Sequence, residues 1–328
     1  MIVSILVPLY GVERYVERCA RSLFEQSFEA IEFIFVDDCS PDRSVDVVER
    51  VLAEYPERQA ETRIIRNSEN RGVSASRNRA LEAATGRFVI FVDGDDWVAP
   101  EMVEELVMRQ IECGSDIVMS NYFEVAGEVA GEADGEVAGE VAGEVAGEVA
   151  GEADGEVAGE AAGEAVRLVK SAPIGGRRGS LRIVVSQSFA LPNRVWGLLL
   201  SREIIKRSNI RFDEGVVMGE DFIFLVKVLY FSERISFINK GLYYYRVGVG
   251  SMSSIGVAKQ RSYVRAVFAV RSFLGSRADS AQFRGALWLS RLNLRRWLLL
   301  RRSGGGFVFR GLCYALNFFY RLYCSVRG

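Results

Sequence analysis

Asp93, Asp95 and Asp96 stand directly after the apolar run Phe88–Val92, in the order Asp-Gly-Asp-Asp. Three carboxylates crowded where a buried strand opens to solvent repel one another unless a cation joins them. Oxygen ligands of this kind select Mg2+ or Mn2+, and an ion held by one or two carboxylates usually completes its shell with substrate phosphates. Capping the helix expected from Pro100 would need only one of the three acids, and Asp96 suits that task. A second acid pair, Asp37 and Asp38, follows the run Glu32–Val36 and reads equally well as a turn. The chain contains no histidine, which excludes histidine bases, histidine-centred triads and histidine-ligated zinc. Any acid–base chemistry falls to carboxylates.

The elements that must position these groups alternate along the first 123 residues. Strand-like runs at 3–7, 32–36, 63–65, 88–92 and 116–120 are interleaved with helical patterns at 12–26, after Asp42, at 73–84 and at 100–113. That order predicts an α/β fold, a mostly parallel sheet flanked by helices on both faces. In such sheets ligands lie beyond the carboxyl ends of the strands, so the clusters after Val7, Val36 and Val92 are the ones that face a ligand.

Residues 124–166 break the pattern with a four-residue repeat of the form Val-Ala-Gly-Glu. A period of four would stack Glu on Glu along a helix and place Gly in every turn, so the tract is expected to be a disordered surface insertion. Setting aside its eleven Glu and two Asp turns the net charge of −2 into +11 for the remainder. The basic excess is strongest from Arg261 onward, where thirteen Arg face one acid, Asp279. Residues 259–328 therefore read as a basic, aromatic, helical extension suited to peripheral contact with anionic lipid, in preference to nucleic acid. Five scattered cysteines without a CxxC pair support neither a disulfide framework nor a thiolate zinc site. Together with a start that lacks a basic leader, they point to a cytoplasmic protein, peripheral at the inner face of a membrane.

Four motifs in order, 3–16 (VSILVPLYGVERYV), 35–42 (FVDDCSPD), 70–78 (NRGVSASRN) and 91–97 (FVDGDDW), resemble the family 2 glycosyltransferases of GT-A fold. The resemblance covers about residues 2–123 and 194–255. It implies a nucleotide-sugar-binding half at 1–123 and an acceptor-side half at 167–258. On this resemblance Pro8 and Tyr10 line a nucleobase pocket with Glu13 nearby, and Asp38 accepts a hydrogen bond from uracil. A carboxylate there favours the N–H of uridine over cytidine. Asn70 and Arg77 match positions that hold the donor, and Asp95 with Asp93 matches the metal-binding D-x-D, the implied cofactor being Mn2+ or Mg2+.

The second half resembles the family's acceptor-side block at 195–205, 212–225 and 243–253. This implies Asp221 as general base oriented by Glu220, with Arg246 and Ser251 contacting the donor diphosphate. The competing reading of Glu220 and Asp221 is an acidic first turn of a helix. The implied partners are a nucleoside-diphosphate sugar and a glycan or lipid-linked acceptor, and the implied reaction is inverting transfer. A sugar-nucleotide-binding relative without transfer activity is the alternative. Relatives commonly carry Trp-Asn-Lys-Leu where this chain has Trp196, Gly197, Leu198 and Leu199, which puts a polar contact there in doubt.

Overall fold

A computed structural model describes residues 2–126, 165–169, 194–247 and, within 265–273, all but 267 and 271. The first half runs β1 (Val3–Leu9), α1 (Val16–Phe24), β2 (Ile31–Asp37), α2 (Ser44–Leu52), β3 (Thr62–Arg66), α3 (Val73–Ala83), β4 (Phe88–Phe91), β5 (Trp97–Val98), α4 (Met102–Cys113) and β6 (Ile117–Ala126). Then follow β7 (Ala165–Val169), β8 (Leu199–Ser201), α5 (Arg202–Arg207), α6 (Glu220–Phe231) and β9 (Ile235–Val247). One sheet holds all nine strands in the order β3-β2-β1-β4-β8-β6-β9-β5, with β7 also beside β6. Strands β3, β2, β1 and β4 are mutually parallel, as are β6 and β9, whereas β5, β7 and β8 pair antiparallel.

The central strands are buried on both faces, which explains their unbroken apolar runs. Successive residues of a strand point to opposite faces. Thus Val3, Ile5, Val7, Phe33 and Phe35 pack toward α1, α2 and α4, while Leu6, Ile34 and Val36 pack toward α3, α5 and α6. Helix α1 buries Val16, Cys19, Ala20, Leu23 and Phe24, a stripe at helical spacing. It begins four residues later than expected because residues 12–15 form a turn, with the Val12 amide donating to Ser44 Oγ at 2.9 Å.

Strand β6 extends past the expected strand and pairs with β7 in a register that sets Ala126 opposite Ala165. The first three and last two residues of the 124–166 stretch are therefore sheet. Residues 127–164, Ser251 and, apart from the helical residues within 265–273, the region 259–328 lie outside the described residues. Those helical residues do not stand apart: Ala266 and Val270 are buried against Val216 and Ile223, the latter in α6. No helix among the described residues is long and apolar enough to cross a membrane.

Candidate active site

The carboxyl ends of β1, β2 and β4 carry the expected clusters to one edge of the sheet. Between Asp93 and Asp95 the chain passes so close to β1 that a Cβ on Gly94 would lie 2.9 Å from Leu9 Cδ2 and 3.3 Å from the Pro8 carbonyl. Glycine is thus the residue the D-x-D turn requires. Asp95 is half-buried, and its carboxyl is raised to about 6, first by burial and then by the neighbouring Asp93. Partial relief comes from Arg246 and Arg77. A carboxylate pair whose charge is so incompletely offset suits a divalent cation, with Asp95 and Asp93 as the oxygens that would hold it. Among the described residues no group of three or more Asp, Glu, Cys or His side chains is gathered in metal-binding geometry.

Asp96 has partners of its own. It does not cap α4, whose N-cap is Glu101, but accepts the Tyr243 hydroxyl at 2.7 Å and the Arg246 amide at 2.8 Å. Tyr243 Oη in turn accepts the Asp93 amide at 3.1 Å. Burial, with Asp95 and Asp93 adding to it, pushes the Asp96 carboxyl well above the ordinary range. Asp96 is therefore a tie between the acid turn and β9. It places Arg246, whose Nε donates to the Asp95 carbonyl at 3.3 Å and whose guanidinium stands 4.9 Å from the Tyr15 ring and 5.0 Å from that of Trp97.

At the end of β1, Tyr10 is exposed and Pro8 half-buried. Glu13 is held by Arg43, and hydrogen bonds from that residue lower its carboxyl. Asp38 is 3% exposed and accepts Asn67 Nδ2 at 2.7 Å, the Arg71 amide at 3.0 Å and the Gly72 amide at 2.7 Å. A carboxylate has about four acceptor sites, so one remains, on Oδ2. Asn70 is exposed and its Oδ1 accepts the Gly72 amide at 3.2 Å. Asn67, which the motifs did not single out, fixes Asp38.

Glu220 and Asp221 form the first turn of α6, after Gly219 at φ +89°. They are an acidic first turn and also site groups, because α6 aims them at α3. Arg77 of α3, 3% exposed, donates to Asp221 Oδ1 at 2.6 Å, to Asp93 Oδ1 at 2.8 Å and to Glu220 Oε1 at 3.4 Å. Asp221 Oδ2 also accepts the Val195 amide at 3.3 Å. Its carboxyl is raised to about 7, chiefly by burial, with Glu220 and Asp93 adding to the rise and Arg77 opposing it. A base with pKa near 7 is matched to proton abstraction at neutral pH.

The Gly197 departure has a local cause. Gly197 adopts φ +67°, a left-handed conformation that Asn and Gly tolerate, and its face lies against Tyr243, whose Cδ2 would stand 3.0 Å from a Cβ added there. Leu198 and Leu199 are buried in the core. Arg194, also not singled out from sequence, lies 3.9 Å from the Tyr122 ring and 4.2 Å from that of Trp196.

Residues 4–136 match the family described as glycosyl transferase family 2. The "Uncharacterized glycosyltransferase EpsJ" of Bacillus subtilis is 30% identical over 254 residues, a match spanning 77% of this chain and 63% of EpsJ. The crystal structure of Staphylococcus aureus TarS 1-349 in complex with UDP-GlcNAc superposes with TM-score 0.62 at 22% identity, covering 88% of this chain and 70% of that one. The mannosyltransferase PcManGT from Pyrobaculum calidifontis, in complex with GDP-Man and Mn2+, gives TM-score 0.56 at 15% identity over 98% and 83% of the two chains. Over residues 4–136 the chain belongs to glycosyltransferase family 2, and its fold is GT-A.

Proposed function

We propose that the chain transfers a sugar from a nucleoside diphosphate, UDP in preference to other nucleotides, to a hydroxyl of a glycan or lipid-linked acceptor with inversion. The observation that carries this reading is the meeting of Asp93, at the end of β4, with Asp221, at the start of α6, on the two ends of one buried guanidinium. Donor-side and base-side carboxylates thus meet on one side chain although 128 positions separate them in the chain.

Asp221 takes the proton from the acceptor hydroxyl, and Glu220 orients it through the Arg77 guanidinium that both carboxylates share. Pro8, Tyr10 and the free lone pair of Asp38 receive the base of the nucleotide. Arg246, held against Asp96 and Tyr15, presents a planar cation to the diphosphate. Asp95 and Asp93 would hold a divalent ion, Mn2+ or Mg2+, which when bound would supply positive charge for the leaving diphosphate. The bound Mn2+ of PcManGT and the bound UDP-GlcNAc of TarS support this assignment by analogy of fold. Residues 259–328, whose described helical part packs on α6, are the portion proposed to touch a membrane surface peripherally.

The test is a screen of UDP-, GDP- and dTDP-sugars for Mn2+-dependent release of nucleoside diphosphate, followed by mass analysis with candidate acceptors. Release from UDP-sugars that is lost on chelation supports the reading. Indifference to every nucleotide sugar overturns it.

A further inference from the structure

Phe212 is buried, 3% exposed, yet it belongs to no helix or strand, so its backbone N–H and C=O have no ladder to join. One side chain of α3 serves both. Asn78, itself 4% exposed, accepts the Phe212 amide on Oδ1 at 2.9 Å and donates from Nδ2 to the Phe212 carbonyl at 3.1 Å. Nδ2 also donates to Glu214 Oε1 at 3.1 Å. A primary amide offers a donor and an acceptor side by side, and turning it over would set N–H against N–H and oxygen against two acceptors. The exposed ion pairs nearby, Arg71 with Glu214 and Arg211 with Glu82, contribute little. The buried amide therefore carries the link between α3 and this segment.

What Phe212 sets in turn is the spacing across the site. Its ring stacks on Phe224 at 4.0 Å and meets Phe91 edge-on at 5.3 Å. Phe91 ends β4, two residues before Asp93, and Phe224 lies in α6, three residues after Asp221. Gly219, the N-cap of α6, supplies no side-chain cap, so the direction of that first turn is left to packing. We propose that Asn78 is a positioning residue for transfer: its amide fixes Phe212 between Phe91 and Phe224, and through Phe212 it sets Asp221 in place against Asp93. The inference rests on the reading of Asp221 as base, and it adds to that reading the group that places the base.

The experiment compares wild type, Asn78→Asp and Asn78→Asp/Glu214→Gln by calorimetric titration with UDP and Mn2+, and by turnover at saturating concentration of a UDP-sugar that the wild type hydrolyses. Asn78→Asp keeps the size of the side chain and the acceptor for the Phe212 amide, but turns an oxygen toward the Phe212 carbonyl and Glu214; Glu214→Gln returns an N–H to that contact. The expected result is a UDP Kd within about threefold of wild type in both variants, turnover reduced about 10- to 100-fold in Asn78→Asp, and partial recovery in the double variant. Turnover at saturation within about twofold of wild type in a folded Asn78→Asp would overturn the proposal, as would a loss confined to UDP affinity. Phe212→Leu, which leaves the Asn78 bonds in place and removes the stack, should give the same division between affinity and turnover, and undiminished turnover there also overturns it. Hydrogen exchange of the wild type needs no variant: the Phe212 amide should exchange as slowly as those of α6, and exchange at the rate of an exposed loop would contradict the Asn78 contact. A wild type that hydrolyses no nucleotide sugar, or Asp221→Asn with wild-type turnover, would overturn the reading of the function and this role with it. An undiminished Asn78→Asp beside an inactive Asp221→Asn overturns this role alone.

Discussion

Tyr243 donates its hydroxyl to Asp96 at 2.7 Å across 147 positions of the chain, and the same oxygen receives the Asp93 amide at 3.1 Å. One buried phenol thereby hangs the acid turn on β9. Replacing it with Phe leaves Asp96 Oδ2 and the part-buried Asp93 amide without this partner while keeping the ring stacked on Trp196 at 4.3 Å. Tyr243→Phe is expected to cost ~1–3 kcal/mol, read as a lower urea midpoint, and to weaken UDP–Mn2+ binding as the turn loosens. An unchanged midpoint would show that the tie carries no weight.

Gly94 is predicted to be intolerant of a side chain. The added methyl of Gly94→Ala meets Leu9 at 2.9 Å and Val12 at 3.2 Å, both anchored in or beside β1. Overpacking of this kind costs ~1–3 kcal/mol, and here the turn is the part able to shift. Mn2+-dependent UDP binding should fall while the far-ultraviolet circular dichroism stays that of wild type. Binding of wild-type strength would contradict the close approach.

The pH dependence of turnover should follow Asp221. Burial, with Glu220 and Asp93 adding to it, raises this carboxyl to about 7, and it works as a base only when ionised. Turnover at saturating donor should therefore climb through about pH 7 and level off above it. The folded carboxyl holds its proton at pH values where the unfolded one has lost it, so this group subtracts stability as pH rises from about 4 to 7. Asp221→Asn should accordingly abolish transfer, and its stability relative to wild type should rise as pH goes from about 4 to 8, because the amide does not titrate. A stability difference that does not change with pH would contradict the raised carboxyl.

How much of this was legible beforehand depends on range. The strands at 3–9, 31–37 and 88–91 announced themselves because burial on both faces leaves unbroken apolar runs, and each ends in the polar cluster that the sheet edge exposes. The two residues of β5 have no periodicity to read, and the pairing of Trp97 with Tyr244 is a relation across 147 positions. Asp96 looked like a helix cap for the same reason: the phenol it accepts from lies in β9. Arg77 could be found as a site residue from its motif, but its tie to Asp221 exists only once α3 and α6 are packed. At Gly197 the left-handed backbone angle, which Asn and Gly both tolerate, is a constraint that the sequence alone does not display.

Acid stability should depend on a group remote from the site. Burial would raise the Glu32 carboxyl, but bonds from Ser4, Thr85 and Gly86 outweigh it and hold it at about 2. Its folded value lies below the unfolded one, so the contribution is complete above pH 4.5 and is lost as pH falls toward 2. The shift corresponds to about 3 kcal/mol, and Glu32→Gln should destabilise by that order at neutral pH while flattening the acid limb of stability against pH. Parallel stability curves for the two proteins between pH 5 and 2 would contradict it.

The most direct measurement is calorimetric titration of the full chain with UDP, with and without Mn2+, for wild type and Asp95→Ala. The wild type is expected to bind UDP more tightly when Mn2+ is present, and Asp95→Ala to lose that gain while remaining folded. No uptake of UDP by wild type in either condition, or a manganese effect that survives loss of the Asp95 carboxylate, would contradict the account.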